Sequence, residues 1–299
     1  MTVHALTIDL EDWHEQFYHR LTGELIPPTP AVVDTTHRLL DMLDEADIYA
    51  TFFVLGNVAD TYPELVREVV RRGHEIGSHA YRHELVFRMK PAAFKADMER
   101  SLVRLQDLAQ QPILGFRAPE FSVSHLQHWC FEILAELGFR YDSSVFPLPG
   151  VRYGIPEAPR YPFAIATPSG TIHEYPLATW NVGRLHLPVA GGSYFRLLPS
   201  HLLHHALKDI DASNRTAVLY FHPYNFERGW LNPSWSAWQR GLRASNLKFT
   251  LSRILLHNFG TRLIGQRLKP LLAQYEFMPL GEIYRRTTLG REGSMDGYG

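Results

Sequence analysis

The chain has 299 residues, 45% of them hydrophobic, enough for one large core or two modest ones. Its 30 Lys and Arg stand against 31 Asp and Glu, so composition implies no basic face for nucleic acid, and no run of like charges marks an interaction tail. The single cysteine, Cys130, excludes an internal disulfide framework and a cysteine-based zinc site.

"VHALTID" (3–9) reads as a strand, and after a Pro-rich loop "PAVVDTTHRLLDMLDEADI" (30–48) has helical spacing. "YATFFVLG" (49–56) is rich in β-branched and aromatic residues, and "VADTYPELVREVVRRG" (58–73) predicts a helix that ends in glycine. A short strand, "HEIGSH" (74–79), precedes a long amphipathic helix over 90–110. "PILGFRAP" (112–119) is the next strand and 125–139 the next helix, with Cys130 expected as a buried structural thiol. "TAVLYFHP" (216–223) is a further strand, followed by helices over 246–259 and 261–275.

Strands that alternate with helices predict parallel pairing, because each crossover needs a helix to return the chain. Residues 146–200 break the rhythm: Pro- and Tyr-rich runs, and stretches that read as β-hairpins or irregular loops, predict an insertion or cap within one domain, 1–282. Residues 283–299 read as a polar C-terminal tail. The opening "MTVHALTIDLED" lacks a basic segment followed by an apolar one, and no stretch approaches spanning length, so a cytoplasmic protein without a membrane span is expected.

The polar residues fall at telling positions. Asp9, His79, Arg117 and His222 each end a predicted strand. In a β/α barrel such ends share one face, where active sites are built. With 16 histidines an i,i+4 pair is expected by chance. His201 and His205 form one such pair on a predicted amphipathic helix without an accompanying acid motif, and they are expected not to bind metal. His74 is five residues from His79 and is expected in the core or behind the site. His79 and His83 differ because an acidic run, "DLED", can supply the third of the three protein ligands that catalytic zinc takes.

"TIDLED", "SHAYRH", "FRAPEF" and "LYFHPYNF" stand in the order and spacing of the polysaccharide deacetylase (NodB-homology) family. "YDSSVFP" and "GGSYFRLLP" resemble its branch with a D-x-E-D first motif, found among exopolysaccharide and O-antigen synthesis proteins, and the resemblance covers roughly residues 3–280. It implies a distorted (β/α) barrel of about seven strands and a metal-dependent hydrolase, most often zinc-bound, that removes N-acetyl or O-acetyl groups from a sugar. Carried over, it makes Asp9 the general base, Arg117 its partner, His222 the general acid, and His79 and His83 metal ligands. A backbone amide near Glu120 or Phe121 would serve the oxyanion.

The third ligand is open. Strand alternation favours Glu11, whereas a turn after Asp9 brings in Asp12, the residue type more usual in the family, and Asp12 is the expected ligand. Two further readings compete: a metal-independent cyclic-amide hydrolase, whose members lack the histidine pair, and a catalytically silent carbohydrate-binding barrel. Expected partners are an N-acetylated glycan or activated sugar precursor, with glycan-assembly proteins besides. Trp13, Tyr81, Trp180 and Trp230 are candidates for stacking on sugar rings, with ordinary packing the commoner role for each.

Overall fold

Strand β1 (His4–Leu10) is buried along its whole length, as a strand with neighbours on both sides and helices on its faces must be. The computed structural model describes residues 2–124, 128–150, 154–241 and 247–292. The remaining strands are β2 (Thr51–Val54), β3 (Glu75–Ser78), β4 (Gly115–Phe116), β5 (Tyr141–Asp142), β6 (Phe163–Thr167), β7 (Gly170–Glu174), β8 (Thr179–Val182), β9 (Leu185–Pro188), β10 (Val218–Phe221) and β11 (Phe277–Met278). Helices are α1 (Trp13–Thr22), α2 (Ala31–Glu45), α3 (Gly56–Thr61), α4 (Pro63–Arg71), α5 (Pro91–Ala109), α6 (His128–Glu136), α7 (Gly192–Leu197), α8 (Ser200–Ala212), α9 (Trp235–Gly241), α10 (Leu247–Asn258), α11 (Thr261–Gln274) and α12 (Leu280–Glu292).

Seven strands run parallel in the order β10-β1-β2-β3-β4-β5-β7, and β6 closes a hairpin antiparallel to β7. β11 pairs with the start of β1 at His4 and Ala5. The two edges meet through one segment that follows β7: Leu177 N–H donates to Val145 O and Ala178 N–H to Val218 O. The α/β fold with a parallel sheet is as expected, and this bridge gives it the form of a distorted barrel.

The 146–200 region is more than a cap. β7 lies within it and pairs parallel with β5, so part of the supposed insertion is barrel wall. Among the described residues of this region, only β8 and β9 form a separate two-stranded ribbon. The expected helix over 58–73 is two helices, because Pro63 starts a new one at α4. The polar tail also needs correction, since its first ten residues belong to α12, which buries Leu280 and Ile283. Residues 293–299, and the first three of the helix expected over 125–139, lie outside the described residues.

One continuous core lies among the strands and the inner faces of the helices. A smaller apolar cluster, with Trp13, Phe17, Tyr224 and Ile254, joins α1, α9 and α10 above the strand ends.

Candidate active site

β1 delivers Asp9, β3 is followed by His79, β4 by Arg117 and β10 by His222, so the C-terminal ends of four parallel strands converge. His83 follows on the loop after β3. That loop is pinned by Asp97 of α5, which accepts the Tyr81 amide at 2.8 Å.

Arg117 is fully buried and uses four of its five N–H groups. It donates to Asp9 Oδ1 (2.8 Å), Thr7 Oγ1 (2.7 Å), Ser143 O (3.0 Å) and Ser143 Oγ (2.8 Å). Its guanidinium also lies over the Phe53 ring. The result is a buried ion pair that fixes the Asp9 carboxylate in one orientation through Oδ1. Thr7 and Ser143 were not singled out from sequence; Ser143 directly follows β5 in "YDSSVFP", the same strand-end signal that marks the others.

Glu11 Oε2 lies 2.9 Å from His83 Nε2 and 3.7 Å from His79 Nε2. One potential ligand atom from each of these three buried residues lies within 4.8 Å of the others. His79 Nδ1–H donates to Arg117 O at 2.8 Å, which fixes the tautomer and leaves Nε2 free to face Glu11. Despite these approaches Glu11 Oε2 has no hydrogen bond, whereas Oε1 accepts from the Tyr224 hydroxyl at 3.2 Å. Two imidazoles and a carboxylate, converging without bonding to one another, fit a divalent cation of the zinc type.

Asp12 does not join them. Its side chain caps α1, accepting from the His14 and Glu15 amides at 3.3 and 3.4 Å and from the Thr29 amide at 2.8 Å. The structure therefore sets Glu11, and not the expected Asp12, beside His79 and His83. The physical reason is that the chain turns into a helix at residue 12, and the helix start claims that carboxylate for its own amides.

His222 Nε2 lies 3.4 Å from Glu11 Oε1 and 3.9 Å from Asp9 Oδ2. Its ring stacks on Tyr224 at 4.6 Å, and its amide donates to Asn225 Oδ1. Burial would push the Glu11 carboxyl up, but the His83 and His222 charges outweigh it and hold the group well below the usual range. Burial pulls the His79 imidazole down, yet Asp9 and Glu11 overcome this and leave it above its ordinary value. For His222 burial wins over Glu11 and Asp9, and its pKa is lowered.

These side chains line a cavity of about 190 Å³ whose wall also holds Arg20, Arg196, Arg253 and His257. Arg196 is buried and donates to His257 O and Ser193 Oγ. The "GGSYF" run brings α7 to this wall; a Cβ at Gly191 would collide with Tyr220 and one at Gly192 with Asn225, so only glycines permit the approach. Glu120 and Phe121, expected near an oxyanion site, border the cavity in left-handed conformations (φ 50° and 53°), and Glu120 pairs with Arg20 at 2.9 Å. The Phe121 amide already donates to Ala118 O.

The other singled-out residues lie elsewhere. His74 is buried at the start of β3 and accepts the Ala50 amide through Nδ1. His205 sits exposed on α8 beside Asp209. Trp13, Tyr81 and Trp180 are buried, Trp180 donating to Asp209, and only Trp230 is exposed.

Residues 23–141 match the family model described as polysaccharide deacetylase, and residues 143–285 match one described as a domain of unknown function (DUF3473). The site draws on both matches, through His79, His83 and Arg117 in the first and His222 in the second, while Asp9 and Glu11 precede either. The chain is similar to the peptidoglycan deacetylase of Helicobacter pylori, 31% identical over 108 residues, 36% of each chain. It spans about a third of the length of the curated relatives it matches. In fold it resembles a polysaccharide deacetylase-like protein from Mycobacterium smegmatis, with a TM-score of 0.61 at 20% identity, covering 97% of this chain and 92% of the other. An allantoinase structure matches with a TM-score of 0.54 at 17% identity, covering 84% of both chains.

Proposed function

We infer that this chain, which carries the polysaccharide deacetylase family signature, is a metal-dependent hydrolase that removes acetyl groups from an N-acetylated sugar of a surface polysaccharide or its precursor. The observation that carries the reading is the Glu11–His79–His83 cluster beside the Arg117-held Asp9. The relative named a peptidoglycan deacetylase supports the substrate class. The histidine pair argues for metal dependence over the cyclic-amide alternative, which the allantoinase likeness, being one of fold, does not favour.

Glu11, His79 and His83 would hold the ion, through one oxygen and two Nε2 atoms. A divalent cation such as zinc supplies Lewis acidity toward the acetamide carbonyl and toward water. Asp9 Oδ2 faces the cavity while Oδ1 is tied to Arg117, so one oxygen is free to accept a proton from the attacking water. His222 Nε2 faces the same space from the end of the neighbouring strand β10 and donates a proton to the departing amine nitrogen. Water adds its oxygen to the carbonyl carbon, the C–N bond breaks, and acetate and the free amine leave.

The test is acetate release from N-acetylated sugars and their nucleotide- and lipid-linked forms. Release that stops with chelator and returns with zinc supports the reading. Release unaffected by chelator overturns the metal dependence, and sugar binding without release overturns the activity.

A further inference from the structure

The near balance of charge over the whole chain hides a strong local bias. Between Glu227 and Glu276 there is no acidic residue, while residues 228–275 contain eight Lys and Arg in a chain of net charge −1. α10 is built from this stretch. Its inner side packs Ile254 into the small apolar cluster with Trp13 and Phe17 of α1 and places Arg253 and His257 on the wall of the active-site cavity.

Its outer side is unusual. Leu247, Leu251, Leu255 and Phe259 follow one another at intervals of four and are 37%, 44%, 61% and 64% exposed. That spacing sets neighbours on one side of a helix, the side an amphipathic helix normally buries. Leu256 of the same helix is also exposed, as are Trp230 and Trp235 in the segment before it, the last at 75%. Arg228, Lys248 and Arg262, which lie within or flank these segments in sequence, are exposed and pair with no carboxylate among the described residues.

We propose that α10 and the tryptophan-bearing segment before it form a peripheral membrane-docking surface that seats on a bilayer with anionic headgroups. A leucine stripe, bordering tryptophans and an excess of cations without acids are the features by which a helix lies in the plane of a membrane interface. Apolar side chains enter the boundary between headgroups and acyl chains, and the cations meet the negative surface potential. α10 has 12 residues, short of a span, and no described helix is long and apolar enough to cross a membrane. A symmetric pairing of two copies through this face would set two acid-free cationic segments against each other, so the charge favours an anionic lipid surface. The docking surface borders the cavity, which would then open beside the bilayer. The proposal does not depend on the hydrolytic reading of the site.

Cosedimentation of the full chain with vesicles tests it, using phosphatidylcholine alone and phosphatidylcholine with about one third phosphatidylglycerol. The chain should pellet with the anionic vesicles, and added salt should weaken that binding. A Leu251→Ser/Leu255→Ser variant should bind at least about tenfold more weakly with an unchanged melting temperature, since both side chains face outward. Leu255→Ser/Phe259→Ser serves as a second pair if the first fails to fold. Absence of binding to either vesicle, or binding that survives both pairs, overturns the proposal. So does a dimer in sedimentation equilibrium that the serine pairs dissociate, or capture of an acidic protein without vesicle binding.

Discussion

Exchanging the two neighbouring acids of the first motif separates the site from the scaffold. Glu11→Gln keeps shape and an acceptor for the Tyr224 hydroxyl but removes the anionic ligand between His79 and His83. Asp12→Ala leaves the cluster intact and removes the cap that takes amides from His14, Glu15 and Thr29. Loss of the cap costs about 1 kcal/mol, and the Thr29 amide left without its acceptor about 1–3 kcal/mol more. Burial is the main cause of the raised Glu15 carboxyl and the Asp12 charge adds to it; removing that charge offsets part of the loss, leaving roughly 2–3 kcal/mol. For a domain of this size that lowers the melting temperature by roughly 5–10 °C. Metal content after dialysis and thermal melting, measured on both variants, give the outcome. Glu11→Gln should lose metal and acetate release with a smaller melting shift, and Asp12→Ala should retain about one equivalent while melting earlier. Metal lost from Asp12→Ala and kept by Glu11→Gln would refute the ligand assignment.

Arg117→Met should destabilise the fold by about 3–5 kcal/mol, because it strands Asp9 as a buried charge, whereas Thr7→Val should cost about 1 kcal/mol; urea unfolding distinguishes them. His222→Ala should lower the rate of acetate release by about 10²–10⁴-fold with metal content unchanged, as loss of a general acid requires. Burial lowers His4 and His74 to about 4, and each Nδ1 accepts a backbone amide, from Ala217 and Ala50. Their contribution, roughly 3 kcal/mol each, is fully present above pH 6.5 and is lost as pH falls toward 4. Imidazole NMR shifts titrating near 4 bear this out, and titration near 6.5 contradicts it.

The barrel was legible where strands end in reactive residues. Asp9, His79, Arg117 and His222 meet because parallel strands place their C-terminal ends on one face, and short apolar runs located those ends within a residue or two. What escaped the sequence reading was local competition for side chains. "DWHE" (12–15) has the acid and the glutamate, three residues apart, that mark a helix N-terminus, and reading it so would have found α1 and withdrawn Asp12 from the ligand set together. β7 escaped because it pairs with β5, only two residues long, and its alternation of buried and exposed residues reads like a surface hairpin. Arg196 and Tyr224 reach the cavity from α7 and the turn after β10 through tertiary packing, which no periodicity in their own segments announces.

Locating the bound ion is the most direct test of the metal site. Crystals grown with zinc should show an anomalous scattering peak between Glu11, His79 and His83, absent from His79→Ala. A peak at His201 and His205, or none near Glu11 in an active preparation, would contradict the account.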